Sequence, residues 1–322
     1  MNRSMLIAAL ILLPALVLGG CTTNAATGRS QARFLSHEEQ IAIGAEMTPQ
    51  LIQEYGGVVP DAQLRDYLTE IGLKLAAHVE EPYQDFPWEF TFLNSDVINA
   101  FALPGGKVFI SRALVEKMTN EAQLAGVVGH EIGHVTAEHA NEAMGRQAGL
   151  QVGGAVIGAI AGQSGSMLAQ LGAQVLVSGT GVFLMTYDRA QESEADELGM
   201  RYMTRAGYSP IGQLQLMEIL KAASGGNSPP EFLSTHPLPQ SRIDNITKKL
   251  QGEKWAAMLN SPDFVTNEAQ FRSRCLDRLK RLPAPARSAW IEGLGDSVLW
   301  CAYCRADAAG QPRLARWGVV PQ

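Results

Sequence analysis

His130-Glu131-Ile132-Gly133-His134 is the stretch on which the reading of this chain turns. Residues four apart on a helix share a face, so both imidazoles can reach one ion while Glu131 projects beside it. A catalytic zinc keeps three protein ligands and one position for water, whose acidity it raises enough for a nearby carboxylate to take the proton. The stretch therefore calls for a helix, a third ligand from elsewhere in the chain, and one zinc ion per chain. Asn120 offers the N-cap of that helix, which the pattern extends to about Arg146.

Downstream, Glu192-Ser193-Glu194-Ala195-Asp196 supplies acidic residues on a second helix, expected over Arg189 to Arg205 and ended by Gly207. Glu192 and Asp196 share one face, so one carboxylate can bind while the other takes the second ring proton of a ligating histidine. Glu194 competes for the ligand role but lies on another face and has no acidic residue four positions on. His139, five residues past His134, falls off the metal-facing stripe and reads as a structural histidine. His37 and His78 have no motif around them.

Working outward, Ser36 and Glu39 form a capping box for a first helix, and Leu64, Leu68, Ile71 and Leu75 line one face of a second over Asp61 to Val79. Trp88 to Leu93 alternates as a half-buried strand does, and Lys107 to Ser111 reads as another strand after the Pro104-Gly105-Gly106 turn. Ser209-Pro210 begins a helix, and Ser224 to Pro230 is a loop. These signals make the fold a predominantly helical α+β domain with a small sheet.

From Gln147 to Tyr187 no residue is charged, yet Gly, Gln and Ser recur. The stretch reads as apolar helices buried in the fold or covering the site, in preference to a membrane hairpin. Beyond Leu250 no helical repeat is visible. Cys275, Cys301 and Cys304 remain after Cys21, and an oxidising compartment would join at least two of them, in a pairing that spacing leaves open.

The N-terminus reads as a leader. Arg3 precedes an apolar run from Met5 to Leu18 that is too short for a comfortable span, and Leu18-Gly19-Gly20-Cys21 resembles the lipobox of bacterial lipoproteins. Cys21 is thus the expected lipidation site. With Thr22 rather than Asp after it, the resemblance implies an outer-membrane anchor facing the periplasm. The chain then divides into a signal peptide (1–20), a tether (21–33), a catalytic part (34–250) and an extension of unassigned role (251–322). A net charge of -6 over 322 residues, with no polybasic patch, argues against nucleic acid as a partner.

Asn99 to Gly106, His130 to Val135, Glu192 to Asp196 and Thr235-His236-Pro237-Leu238-Pro239-Gln240-Ser241-Arg242 together resemble the HtpX-like gluzincin peptidases, metallopeptidase family 48, in their periplasmic BepA/LoiP-like branch. The resemblance implies a zinc endopeptidase with a gluzincin fold, hydrolysing peptide bonds in unfolded or misassembled envelope proteins. It implies His130, His134 and Glu192 as ligands, Glu131 as general base and Asp196 as an active-site acid. It also implies that His236 can take the fourth zinc position, where the alternative is that His236 and Arg242 pack a loop against the helices. On this reading Lys107, Val108, Phe109 and Ile110 hold substrate as an added strand at the sheet edge, the alternative being an interior strand. A membrane-tethered chaperone or assembly factor with a latent zinc site is the rival reading.

Overall fold

Ser36 caps helix α1 (His37–Glu54) through the reciprocal bonds with Glu39 that the sequence promised, and Asp61 caps α2 (Ala62–Ala76) by accepting from the Leu64 amide. The computed structural model describes residues 21–146, 187–225, 230–238 and 240–285. The residues read as a leader, most of the uncharged stretch from Gln147, Cys301 and Cys304 lie outside them.

Residues 21–33, read as a tether, contain an antiparallel hairpin of β1 (Cys21–Thr23) and β2 (Ser30–Ala32). The hairpin is seated on the domain: buried Asn24 donates to Tyr83 Oη and to the Thr136 carbonyl, each at 2.9 Å.

A three-stranded sheet follows, from β3 (Glu89–Leu93), β4 (Ala100–Leu103) and β5 (Lys107–Ser111), in the order β3-β5-β4. The expectation of a substrate-binding edge at Lys107, Val108, Phe109 and Ile110 is corrected here. Gly105 and Gly106 take φ of +77° and +90°, which glycine adopts without a Cβ clash, and the turn lays β4 antiparallel along β5, pairing Phe101 with Phe109. With β3 parallel on the other side, all five residues of β5 are buried and its backbone is committed to both neighbours. The edge strand beside the histidine helix is β4.

That helix, α3 (Glu121–Thr136), is capped by Asn120, and every one of its residues is buried. It does not run to Arg146. Glu138 adopts φ +57°, an uncommon left-handed conformation for a side chain with a Cβ, and residues 139–146 form a separate helical segment. The break is held by the Glu138 carboxylate, which accepts from Arg33, His37, Tyr83 and Asn141 at 2.8 to 3.2 Å.

Three more long helices complete the frame: α4 (Arg189–Arg205), α5 (Ile211–Ser224) and α6 (Gln240–Gln251). The chain stays in the core past residue 250. Phe271, Cys275 and Leu279 join the main hydrophobic cluster, and the Thr266 carbonyl accepts from the Ala122 amide at the start of α3. Cys275 forms no disulfide among the described residues. No helix among them is long and apolar enough to cross a membrane.

Candidate metal centre

Helices α3 and α4 meet through backbone rather than side chain. A Cβ at Gly129 would lie 2.9 Å from the Gly199 carbonyl oxygen, and one at Gly133 would lie 2.9 Å from that of Ala195. This closeness lets Glu192, about two turns before Gly199 on α4, reach the histidines of α3.

His130 Nε2 and His134 Nε2 are 3.0 Å apart, Glu192 Oε1 is 3.3 Å from His134 Nε2, and Glu192 Oε2 is 3.6 Å from His130 Nε2. His236 joins them, its Nδ1 2.9 Å from Glu192 Oε1 and 3.4 Å from His130 Nε2. The four side chains are buried and their ligand atoms lie within 4.8 Å of one another. Zinc bonds of ~2.0–2.2 Å in tetrahedral array put ligand atoms roughly 3.3 Å apart, so this cluster has the chemistry and spacing of a zinc site. Beside it, both carboxylate oxygens of Glu131 are buried with no hydrogen-bond partner among the described residues, and Oε1 lies 3.8 Å from His236 Nε2.

Burial pushes the Glu131 carboxyl above its usual range and drives the His134 imidazole well below its own, leaving a neutral ring suited to metal. Burial also works to raise Glu192, but His236 and Arg242 reverse this and hold it well below the usual carboxylate range.

Asp196 stands behind His130, its Oδ1 3.0 Å from His130 Nδ1, at ion-pair distance though off hydrogen-bond alignment. Arg242 grips Asp196 in a fork, Nε to Oδ2 at 2.9 Å and Nη2 to Oδ1 at 2.7 Å, and Gln213 Nε2 donates to Oδ1 at 3.1 Å. Arg242 Nη1 also pairs with Glu192 Oε2 and donates to the Pro237 carbonyl. Asp196 is thus turned toward the back of His130. Despite burial, Arg242 and His130 keep it charged, below the usual range.

A sequence model of peptidase family M48 matches residues 62–250, more than half of the chain. The chain belongs to peptidase family M48. It is 31% identical to the beta-barrel assembly-enhancing protease of Escherichia coli K12 over 275 residues, covering 83% of this chain and 55% of that one. Against the protein of that name in Yersinia pestis it is 30% identical over 247 residues, covering 74% and 49%. The mitochondrial metalloendopeptidase OMA1 of Saccharomyces cerevisiae is 32% identical over 171 residues, covering 51% of this chain and 47% of its own. The chain spans about half the length of the curated relatives it matches.

Within this M48 domain the structure brings together His130, Glu131, His134, Glu192, Asp196 and His236, and sets Glu194 apart, 3.0 Å from His139 Nε2. His139 Nδ1 is itself 2.9 Å from His134 Nδ1. Periodicity hid this contact, because five residues along an unbroken helix rotate about 140° away, and only the turn at Glu138 returns the ring to His134. Tyr187 was also missed: its ring stacks on His134 with centroids 3.9 Å apart. Nothing in the uncharged stretch that it closes marks it.

Proposed function

We propose that this protein is a zinc-dependent endopeptidase of the bacterial cell envelope, tethered by a lipid on Cys21 to the outer membrane and facing the periplasm. Its substrates on this reading are misfolded or misassembled envelope proteins. The observation that carries the reading is the convergence of His130, His134 and Glu192 beside a buried Glu131 carboxylate that no donor among the described residues occupies.

Zinc at this cluster would supply Lewis acidity toward a scissile carbonyl and toward a water. His130, His134 and Glu192 would hold the metal, and Asp196, braced by Arg242, would fix the ring of His130. Glu131 would take a proton from the water that attacks the scissile carbonyl and return it to the amine released as the C–N bond breaks, a role favoured by the raised proton affinity that burial gives it. The substrate backbone is held as an added strand along β4. Its outer edge has no strand partner among the described residues, and Ala102 and Leu103 line a small cavity with His134 and Tyr187.

Envelope location is supported by the Leu18-Gly19-Gly20-Cys21 pattern and by the beta-barrel assembly role for which the Escherichia coli relative is named. His236 among the ligands favours a second element, a resting state in which four protein groups surround the metal and peptidase activity is latent. The direct test compares wild type with Glu131→Gln for zinc content and casein cleavage. About one zinc per chain in both, with cleavage lost by at least about a hundredfold in the variant, is expected. Equal turnover would remove the mechanism. Mass spectrometry of the mature N-terminus should show an acylated Cys21.

A further inference from the structure

The two ligand histidines of α3 are supported in different ways. His130 has a carboxylate, Asp196, directly behind Nδ1. His134 faces the cluster with Nε2, so its Nδ1 points to the rear, where a second imidazole stands instead of a carboxylate. His139 is fully buried, its Nδ1 2.9 Å from His134 Nδ1 and its Nε2 3.0 Å from Glu194 Oε2. Glu194 Oε2 in turn accepts from Arg29 Nη2 at 3.3 Å, and Arg29 Nη1 pairs with Glu142 on the 139–146 segment. One proton arrangement satisfies this row. His134 donates from Nδ1 to His139 Nδ1, His139 donates from Nε2 to Glu194, and Glu194 is held by Arg29.

We propose that His139 is a positioning residue for His134, braced by Glu194 and by Arg29, which makes the N-terminal hairpin part of the metal centre's support. The inference rests on the zinc reading given above. A ligating histidine needs its second nitrogen engaged so that tautomer and ring plane are fixed before metal arrives, and losing that partner weakens metal binding. The turn at Glu138 is what brings His139 round, and Arg33 of the same N-terminal segment bonds the Glu138 carboxylate. Two arginines from residues 21–33 therefore secure the region behind His134, four and eight residues after the hairpin turn begins at Ala25, in a segment that starts at the proposed lipid site.

The test measures zinc affinity by competition with a chromogenic chelator on the full-length processed protein, with helix content and melting of the zinc-free form as a control. His139→Ala should weaken zinc by ~10–100-fold while zinc-free helix content is kept. His139→Asn should recover much of the affinity, since its amide can present an acceptor near the lost Nδ1. Glu194→Ala should fall between wild type and His139→Ala. Wild-type affinity in both His139→Ala and Glu194→Ala overturns the proposal. If His139→Ala fails to fold, Glu194→Ala decides alone, because that side chain is partly exposed and its removal leaves the core intact. A wild type that binds no zinc would overturn the metalloprotease reading and this inference with it, whereas tight binding in wild type and variants alike removes this inference only.

Discussion

Gly199 of α4 packs against the backbone of His130: a Cβ there would lie 2.8 Å from the His130 nitrogen and 2.9 Å from the Gly129 carbonyl carbon. Neither backbone atom can swing aside as a side chain would. Gly199→Ala gains roughly 1 kcal/mol of helix propensity, but the overpacking it forces costs ~1–3 kcal/mol and separates the two helices. Because Glu192 reaches the histidines only through this approach, zinc affinity should drop together with the melting temperature. A variant that melts lower yet binds zinc as wild type does would show that the crossing leaves the ligand set unmoved.

The metal helix and its partner were legible in the sequence because each has a face with a chemical requirement. Histidines at i and i+4, and acids at Glu192 and Asp196, leave few other arrangements once a single ion is required. The sheet order was not legible. A strand buried on both faces and paired on both sides reads as a short apolar run whether central or peripheral, and only the fold-back at Gly105-Gly106 makes Lys107 to Ser111 interior. Glu89 to Leu93 likewise loses its expected wet face, since all but Glu89 are buried. The contacts of His139 and Arg242 were illegible for another reason. The first depends on one left-handed residue, and the second joins groups 46 positions apart in the chain.

Arg242 bridges two buried carboxylates, Glu192 and Asp196, with one guanidinium. Its removal takes that cation from both buried carboxylates, a change that costs ~3–5 kcal/mol when one partner of a buried pair is deleted. Arg242→Ala should therefore melt well below wild type when zinc is stripped. Zinc would restore part of the loss, since the ion compensates Glu192 but not Asp196. Arg242→Lys should rescue little, because an ammonium cannot reproduce the fork on Asp196. Calorimetry of the three proteins with and without zinc reads the effect, and near-equal melting of the stripped forms would contradict it.

Glu138 ties stability to pH. Burial alone would raise its carboxyl, but His37, Arg33 and Asn141 hold it down to about 2, against an unfolded value near 4.5. A depressed folded value stabilises the protein above the unfolded pKa and loses that contribution as pH falls from about 4.5 toward about 2. The full difference is on the order of 3 kcal/mol. Chemical denaturation of wild type and Glu138→Gln should show a large gap at pH 7 that narrows on acidification to pH 3. A gap independent of pH would mean that the carboxylate's shape, not its charge, holds the turn.

His236 allows the sharpest test of latency. It ends the short helix Phe232–Thr235, where its amide donates to the Phe232 carbonyl at 2.8 Å and its ring stacks on Phe232 with centroids 4.4 Å apart. That seat holds Nδ1 among the ligand atoms and Nε2 within 3.8 Å of Glu131. A fourth protein ligand excludes the water that Glu131 must deprotonate, so on the proposed reading the resting enzyme waits for the segment at 232–238 to move. If the four-ligand state outweighs the open one by about ten to one, His236→Ala should raise casein cleavage roughly tenfold, with zinc retained by His130, His134 and Glu192 and some self-cleavage of the chain. The same variant must be checked for metal content, since a loss of zinc would mimic a loss of function. Full zinc occupancy with lower turnover would assign His236 to substrate or transition-state contact instead, and the resting state would then be an open one.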